Sequence, residues 1–486
     1  MSLICLSELI FPSKYSPEKL KMMEKIMSKN FSSLIIAIIF VFALSGAVKA
    51  ETLYAYLNSA QEVPTNASTG TGYARVVINE SALTITWTVV FTGLTSNQSG
   101  SHIHAPAPIG ANSGVIVNFP PAGGTSGTLT GSGAITATQI AQLRAGQGYV
   151  NIHTANFGGG EIRGQLNKRR PVDYDGDGRT DFSVLRFPNV APPGVAQSTF
   201  YNQNSTSGFQ AANWGNANTD LPAPGDYDGD GRDDLALYRA GAAVGNNSAF
   251  LILRSSDNTA LLSTWGLNGD APVARDYDGD GKTDVAVFRK GATVGSQATW
   301  LILQSSNSAG RIVPWGTTGA ANGSTGDTPI PADYDGDGKF DLAVYRFGGL
   351  APNNSYLILR SSDGTASYQQ WGNFTTDYIL PGDYDGDGKA DLCVARTGAS
   401  TSTQVIWYIL QSSNNQLRAF PWGITSDLPV QGDYDGDGRT DLAMYRRGAT
   451  ATSNSLFWVY NSLSNTAQAT PWGLQPDFPI ATFDAR

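Results

Sequence analysis

The sequence predicts an all-β protein in two parts, an N-terminal β-sandwich followed by a β-propeller of six four-stranded blades. Three observations support this prediction. One Asp-rich string recurs six times in the C-terminal two-thirds, apolar and polar residues alternate with period two in the N-terminal part, and the 55 Gly and 24 Pro residues favour short strands joined by turns. Seven blades is the alternative count.

Residues 27–50 have the pattern of a secretory signal peptide. Lys29 gives a positive start, residues 34–44 are apolar, and small residues precede a cleavage site after Ala50. The apolar run is shorter than the ~20 residues that a membrane span needs. We therefore expect translation to start at Met27, the leader up to Ala50 to be removed, and a secreted or cell-surface product without a membrane span.

Composition excludes one class of partner and one source of stability. A formal charge of −9 and the lack of Lys and Arg clusters argue against nucleic-acid binding. After removal of the leader, Cys393 is the single cysteine, so no internal disulfide can form. We expect packing and metal to supply the stability.

The Asp-rich repeat organises the C-terminal part, residues 169–486. Each copy reads Asp-Tyr-Asp-Gly-Asp-Gly, a basic residue, any residue and Asp, and two apolar runs and a Trp-Gly pair follow it. With the segment that leads into the next copy, this makes four short strands in about 50 residues, which is typical of propeller blades. We expect each Trp to pack between blades, and either residues 171–172 or residues 479–480 to close the ring. The copies begin at Asp173, Asp226, Asp276, Asp333, Asp383 and Asp433.

Each repeat also predicts a calcium site. Aspartates at positions 1, 3, 5 and 9 of a tight loop, with the main-chain carbonyl of position 7, approach the six to eight oxygens that Ca²⁺ takes. Position 12 is not the Glu of an EF-hand, so the ninth-position Asp closes the site instead. The predicted ligands of about six ions are Asp173, Asp175, Asp177, Arg179 and Asp181; Asp226, Asp228, Asp230, Arg232 and Asp234; Asp276, Asp278, Asp280, Lys282 and Asp284; Asp333, Asp335, Asp337, Lys339 and Asp341; Asp383, Asp385, Asp387, Lys389 and Asp391; and Asp433, Asp435, Asp437, Arg439 and Asp441.

The N-terminal part, residues 51–168, differs in kind. Residues 83–89 alternate as a half-buried strand does, and a helix is expected over residues 138–144, ended by Gly146. We expect Glu161 and Arg163 to form a structural pair.

All three histidines of the chain, His102, His104 and His153, lie in this part. His-x-His on a strand puts both rings on one face, where a third histidine could complete a zinc or copper site. The alternative, which we favour, is that these rings hydrogen-bond neighbouring loops, because the sequence identifies no carboxylate that would support a metal site.

Two family resemblances follow from these motifs. Residues 171–486 resemble the FG-GAP/VCBS repeats, calcium-bearing propeller repeats that also occur in integrin α-chain heads. That resemblance implies a binding platform for an extracellular protein or glycan. Residues 52–167 resemble the CHRD domain through the His102-Ile103-His104 motif, the segments 149–154 and 160–166, and Gly110 to Val115 and Gln139 to Gly146. This second resemblance implies an extracellular β-sandwich.

The leading functional hypothesis is a non-enzymatic, calcium-dependent binding or adhesion protein. The aspartates are assigned to metal, and no Ser-His-Asp or Cys-His set, nucleotide loop or zinc-protease motif occurs. Two alternatives are a copper or zinc enzyme centre formed by the histidines, and a structural spacer made rigid by calcium.

Overall fold

The computed structural model describes residues 50–107, 110–144, 146–166, 172–187, 197–216, 220–319, 326–348, 354–372 and 377–483. The predicted signal peptide up to residue 49 and the predicted domain boundary at residues 168 and 169 lie outside these ranges. Within them, no helix is long and apolar enough to cross a membrane.

Eight antiparallel strands form the N-terminal part, in the order β5-β4-β7-β8-β1-β2-β3-β6. Strands β8 and β1 pair at one position, Asn58 with Arg163, so the sheet divides into two halves of four strands. The elements are β1 (Ala50–Asn58), a 3₁₀ turn (Ser59–Gln61), β2 (Thr71–Asn79), β3 (Thr84–Thr92), β4 (Gln98–His104), β5 (Val115–Asn118), β6 (Gly127–Ala134), helix α1 (Ala137–Arg144), β7 (Gly148–Thr154) and β8 (Ile162–Leu166).

The two halves face each other across one apolar core. Alternate residues of β3 point inward, as the period-two pattern predicts, and its Trp87 stacks on Phe119 from beyond β5 with ring centroids 4.7 Å apart. A Cβ added at Gly133 of β6 would lie 3.6 Å from Val117 of β5. The predicted β-sandwich is confirmed, and so is the short helix, which ends before Gly146 at φ +65°.

Six four-stranded sheets follow, so the prediction of a six-bladed propeller is confirmed for the part of the chain described. Blade 1 contains β9 (Phe182–Arg186), β10 (Gln197–Asn204) and β11 (Gly208–Asn216), and the last strand, β32 (Phe478–Pro479), completes it. Blade 2 contains β12 (Asp220–Pro222), β13 (Leu235–Arg239), β14 (Asn247–Leu253) and β15 (Ala260–Leu267). Blade 3 contains β16 (Ala271–Pro272), β17 (Val285–Arg289), β18 (Gln297–Leu303) and β19 (Gly310–Thr317). Blade 4 contains β20 (Asp327–Pro329), β21 (Leu342–Arg346), β22 (Ser355–Leu359) and β23 (Ala366–Gln370). Blade 5 contains β24 (Asp377–Ile379), β25 (Leu392–Arg396), β26 (Gln404–Leu410) and β27 (Leu417–Ile424). Blade 6 contains β28 (Leu428–Pro429), β29 (Leu442–Arg446), β30 (Asn454–Tyr460) and β31 (Ala467–Leu474), and a 3₁₀ turn (Ile480–Phe483) ends the described chain.

The C-terminal segment closes the ring. Phe478 pairs with Leu185 and Pro479 with Val184, so β32 supplies the missing strand of blade 1. Of the two segments that the sequence offered for closure, the structure uses this one. Closure pairs strand edges that would otherwise be open to other chains.

The tryptophans of the Trp-Gly pairs join neighbouring blades, as predicted. The indole N–H of Trp214 in blade 1 donates to the carbonyl of Leu251 in blade 2 at 3.1 Å, and Trp472 in blade 6 donates to Tyr201 in blade 1 at the same distance. The intervening pairs are Trp265 with Leu301, Trp315 with Leu357, Trp371 with Tyr408 and Trp422 with Trp458.

An Arg–Asp ion pair recurs in every blade and was not anticipated from the sequence. In blade 2 the guanidinium of Arg239 donates from Nε and Nη2 to both carboxylate oxygens of Asp220, at 2.7 Å each. In blade 1 Arg186 binds Asp477 across the closing strand in the same way. The other pairs are Arg289–Asp270, Arg346–Asp327, Arg396–Asp377 and Arg446–Asp427.

The N-terminal part touches the propeller at the third Asp-rich loop. The guanidinium of Arg75 on β2 donates to the carbonyl oxygen of Gly279 at 2.9 Å. The ring of Tyr54 on β1 lies so close to Gly281 that an added Cβ there would be 2.9 Å from it.

Candidate metal centres

Each Asp-rich loop is shaped by its own carboxylates. In the second copy Asp226, at position 1, accepts hydrogen bonds from the amides of Gly229 at 2.5 Å and Gly231 at 2.8 Å. These glycines have φ of +81° and +90°, which other residues rarely adopt, so the turn requires them. Asp234, at position 9, accepts from the amide of Tyr227 at 2.8 Å, which draws the end of the loop onto its beginning.

The same bonds recur in all six copies, so the loops form six equivalent carboxylate clusters, which we call the Asp cages. Their position-1 and position-9 residues are Asp173 and Asp181, Asp226 and Asp234, Asp276 and Asp284, Asp333 and Asp341, Asp383 and Asp391, and Asp433 and Asp441.

Carboxylate oxygens converge closely enough to hold a cation. Ligand atoms from three aspartates lie within 4.8 Å of one another in each of the first four copies. Positions 1, 3 and 9 come together in the first, third and fourth copies, and positions 1, 3 and 5 in the second copy. The clusters include Asp173, Asp175 and Asp181; Asp226, Asp228 and Asp230; Asp276, Asp278 and Asp284; and Asp333, Asp335 and Asp341.

The fifth-position aspartates have a second role. Asp280 accepts hydrogen bonds from the amide of Lys282 at 2.8 Å and from the hydroxyl of Ser305 at 2.9 Å, and Asp230, Asp337, Asp387 and Asp437 are held in the same manner. These carboxylates therefore tie the loop to the end of the third strand of the blade.

The basic residues at position 7 face the preceding copy. An added Cβ at Gly229 would meet the side chain of Lys282 at 2.7 Å, and the same relation joins Gly279 to Lys339, Gly336 to Lys389 and Gly386 to Arg439. Arg232 binds Asp230 of its own loop. Burial, followed by Asp437, raises the pKa of Asp435, and the nearby Arg179 only partly offsets this rise. Their predicted role, a main-chain carbonyl ligand, stays a prediction.

Burial of the cages disfavours negative charge. The ninth-position aspartates are at most 1% exposed. Burial, then the neighbouring Asp228, raises the pKa of Asp234 to about 8, and burial, then Asp435, does the same for Asp441. A bound divalent cation would offset both causes, because it interacts favourably with the charged form.

The first cage contains an unpaired ligand atom. Asp175 is 8% exposed, and its Oδ1 has no hydrogen-bond partner. An unpaired buried carboxylate oxygen costs free energy unless a cation or a donor meets it. The donor set of carboxylate oxygens is the kind that Ca²⁺ prefers, so the residues present fit this ion.

Two or three residues after the third strand of the blade complete each cage, starting with a Ser-Ser pair in four of the six copies, and sequence reasoning missed them. The amide and hydroxyl of Ser255 donate to Asp234 at 2.7 Å and Asp230 at 2.8 Å, while the hydroxyl of Ser256 donates to Asp228 at 2.6 Å. The signal was present as a Ser-Ser dipeptide after the third strand of most blades. The equivalent residues are Ser205 with Thr206 and Ser207, Ser305 with Ser306, Ser361 with Ser362, Ser412 with Ser413, and Ser462 with Leu463.

Main-chain hydrogen bonds link the six cages in a closed circle. The amide of the position-8 residue donates to the carbonyl of the position-1 aspartate of the preceding copy. Thr283 donates to Asp226 at 2.7 Å, and Thr180 of the first copy donates to Asp433 of the last. The other four links are Asp233 to Asp173, Phe340 to Asp276, Ala390 to Asp333, and Thr440 to Asp383. The geometry of one cage thus bears directly on its neighbours.

The three histidines also come together, and two of them hydrogen-bond loop carbonyls as expected. His104 contacts the carbonyl of Ser113 at 2.8 Å, and His153 contacts that of Gly158 at 3.0 Å. Nδ1 of His102 lies 3.1 Å from Nε2 of His153. Burial, followed by His153 and His104, lowers the pKa of His102 to about 4, so this ring is neutral at pH 7.

A buried carboxylate beside this cluster was missed in the sequence. Glu62 is 4% exposed, and burial raises its pKa to about 7, against the opposing effects of Arg163, the amide of Val63 and Asn151. It lies 40 residues before His102 in an irregular segment, so no pattern linked the two.

The expected pairing of Glu161 with Arg163 is wrong. Glu161 accepts hydrogen bonds from Ser68, Thr95 and Thr154. The guanidinium of Arg163 donates instead to Asn112 and to the carbonyl of Ala111, and it stacks on Tyr149.

Fold and site together define a six-bladed β-propeller with an Asp cage in every blade, preceded by a β-sandwich. Residues 53–166 match the CHRD domain, and residues 276–344 and 383–444 match the FG-GAP-like repeat. The chain therefore contains a CHRD domain and FG-GAP-like repeats, as the two resemblances predicted. No curated protein matches the sequence closely enough to count as a relative.

Three of the solved structures to which the chain is similar show low sequence identity and low TM-scores. A chimera of ACO and RPE65 is 11% identical with a TM-score of 0.34, covering 68% of this chain and 85% of its own. A second chimera structure is 11% identical with a TM-score of 0.32, and the match covers 60% of this chain and 78% of the chimera. A mutant of Synechocystis apocarotenoid oxygenase is 10% identical with a TM-score of 0.32, covering 90% and 88%.

These neighbours correct one expectation. The solved structures named are enzymes, so the comparisons do not support the expectation that this protein is not an enzyme, and we withdraw that expectation. TM-scores of 0.32 to 0.34 assign no reaction to this chain.

Proposed function

We propose that this is an exported calcium-binding protein whose propeller, held in shape by about six Ca²⁺ ions, binds an extracellular protein or glycan. The observation that carries the proposal is the set of six buried Asp cages joined in a circle. A leader of six Lys and three Glu would take the formal charge from −9 to −12 on removal, and six Ca²⁺ ions would balance it. Export places the chain where calcium is abundant, and extracellular calcium modules bind at ~10⁻⁴ to 10⁻³ M.

Strand direction separates the cages from the opposite face of the propeller. In blade 2 the cage precedes β13, and the loop of residues 240–246 follows that strand at its other end. Val244 in this loop is 88% exposed, and Val294 in the equivalent loop of blade 3 is 67% exposed. Exposed apolar residues on adjacent blades are suited to contact with a partner. We therefore assign ligand binding to this face and calcium binding to the other.

The test is binding of the purified chain to arrays of extracellular proteins and glycans, in calcium and after chelation. We expect ligands that are bound in calcium only, and loss of that binding in the double variant Val244→Ser and Val294→Ser. Leu262→Ser is the matched control, because Leu262 is 65% exposed on β15, away from that face. Binding that persists after chelation, or no binding to any array member in calcium, would count against the proposal.

A further inference from the structure

Three histidines and one asparagine share a face of the N-terminal sheet that points away from its apolar core. His102 and His104 alternate along β4, His153 on the neighbouring β7 is opposite Gly100, and Asn151 is opposite His102. Ile103 between the two β4 histidines is fully buried in the core on the other face. The side chains that gather here are therefore not needed to fill the core.

Hydrogen bonds to carbonyl groups fix which nitrogen of two rings carries the proton. A carbonyl oxygen can only accept, so Nδ1 of His104, 2.8 Å from Ser113 O, and Nδ1 of His153, 3.0 Å from Gly158 O, each carry the hydrogen. The lone pair of each neutral ring is then on Nε2. Anchoring of the Nδ1–H by a carbonyl is the usual arrangement of histidines that ligate a metal through Nε2.

The lone pairs converge on a small volume. Nε2 of His153 lies 3.1 Å from Nδ1 of His102 and 3.0 Å from Oδ1 of Asn151, and Nε2 of His104 lies 3.1 Å from the same Oδ1. Ligand atoms of the three rings all lie within 4.8 Å of one another. In a tetrahedral site with metal–nitrogen bonds of ~2.0 to 2.1 Å, ligand atoms are about 3.3 Å apart, so little movement is needed.

Acceptors face acceptors in this arrangement. With its Oδ1 toward the rings, Asn151 meets two Nε2 lone pairs and no hydrogen lies between them. Its amide also interacts with Glu62, which is 4% exposed and whose Oε1 has no hydrogen-bond partner. Nε2 of His153 can accept a hydrogen from Nδ1 of His102, whereas Nε2 of the buried His104 faces Oδ1 of Asn151 with no hydrogen between the two atoms, and a cation between them would satisfy both.

The surroundings hold the rings in place. The ring of His104 stacks on the ring of Tyr149, with the centroids 4.6 Å apart and the planes at 2° to each other. The guanidinium of Arg163 also lies over the Tyr149 ring, 3.5 Å from its centroid. Gly160 has φ +133°, and an added Cβ there would lie 2.4 Å from Oε1 of Glu62. Metal sites need ligands preorganised in this way.

We propose that His102, His104 and His153 form a binding site for one transition-metal ion, Zn²⁺ or Cu²⁺. Imidazole nitrogens suit these ions, whereas Ca²⁺ prefers the oxygen ligands of the Asp cages. The site is thus separate from the calcium-binding function in its residues and in its metal. Since the sequence has three histidines in total, no other imidazole site can form in a single chain.

The test is calorimetric titration of the folded, full-length chain with Zn²⁺ or Cu²⁺ in excess calcium, which keeps the Asp cages filled, followed by counting of bound ions. We expect one tightly bound ion per chain, and nitrogen ligands in the electron paramagnetic resonance spectrum of the Cu²⁺ form. His153→Gln should weaken binding by about 100-fold or more, the upper range seen even for outer-sphere changes. Asp228→Asn, in a calcium cage, should leave it unchanged.

A measurement on the unaltered protein covers the case in which a histidine variant fails to fold. We expect Zn²⁺ to slow the modification of the three imidazoles by diethyl pyrocarbonate, with the rate measured by mass spectrometry. Equal modification rates with and without metal would overturn the proposal. So would Zn²⁺ or Cu²⁺ affinity that is unchanged in a folded His153→Gln variant.

Discussion

At the scale of single residues, the cage aspartates combine two demands that conflict without a cation. They shape the loop by accepting main-chain hydrogen bonds, which favours the charged form, and they are buried beside one another, which disfavours it. Asp228 shows the conflict most simply, because it accepts from the amide of Asp230 and the hydroxyl of Ser256 while raising the pKa of Asp234.

Substitution of Asp228 by Asn separates charge from hydrogen bonding. The side chain of Asn keeps an oxygen that can accept a hydrogen bond from the main-chain amide of Asp230, but it carries no negative charge for the cation. We expect five bound calcium ions in place of six. At calcium a hundredfold above Kd, the loss of one site lowers the free energy of unfolding by about 2.7 kcal/mol. In chelator the variant should be as stable as the parent or more so, because repulsion with Asp234 is relieved.

Calcium counting and chemical denaturation measure both effects. Asp257→Asn is the control, because Asp257 is exposed and lies outside the cages. A variant that keeps six ions would contradict the assignment of Asp228.

The raised pKa values also predict how the metal-free protein responds to pH. Asp234 and Asp441 titrate at about 8, and Asp341 and Asp391 at about 7, in the folded state. Unfolded aspartates titrate near 3.9, so between about pH 4 and pH 8 the folded chain holds more protons than the unfolded chain does. Stability therefore falls as pH rises from about 4 to about 8.

Thermal melting of calcium-free protein across this range is the measurement. We expect a melting temperature that drops steadily toward pH 8, and a flatter profile in saturating calcium. A calcium-free profile that rises over the same interval would show that the cages are not buried carboxylates of raised pKa.

At the scale of elements, repetition is what made the fold predictable. A single Asp-rich loop is a weak signal, but six copies at similar spacing fix the blade count, the four strands and the loop that carries the cage. The Arg–Asp pairs repeat in all six blades, and the Ser-Ser pairs repeat in four of them. They were not assigned because their partners are fixed by the pairing of strands and loops, which the sequence does not state.

The histidine cluster shows the other limit of sequence reasoning. His-x-His predicted two rings on one face of β4, and the structure agrees. Glu62 and Asn151 reach the same place through the fold of the sheet, over separations that carry no pattern. For the same reason the pairing of Glu161 with Arg163 failed, since each finds partners on more distant segments.

The closing ion pair of blade 1 allows a test at this scale. Asp477 is fully buried and Arg186 is 31% exposed. Loss of one partner from a buried pair costs about 3–5 kcal/mol, and the partial exposure of Arg186 moves the expected cost to the lower part of that range or below it. We therefore expect Asp477→Ala to lower the melting temperature clearly.

The matched control is Asp257→Ala, which breaks an exposed pair with Arg254. That variant should have the same melting temperature as the parent, because surface ion pairs contribute little to stability. Equal melting temperatures for Asp477→Ala and the parent would show that the pair does not hold the seam.

At the scale of the whole molecule, three sets of contacts run around the propeller. The tryptophan indoles join blade to blade, the position-8 amides join cage to cage, and β32 joins the end of the chain to its first blade. The main-chain bonds between cages form a closed circle. Calcium binding should therefore stabilise the propeller as a unit and not blade by blade. Partial filling should then give partial stability across all blades.

The most direct measurement is the melting temperature of the chain after chelation and after calcium is returned, with bound calcium counted on the same samples. We expect about six ions per chain in the restored sample, a melting temperature well above that of the stripped sample, and a return to the untreated value. A stripped protein that melts at the same temperature as the calcium-treated one, or a restored sample that holds no calcium, would contradict the account.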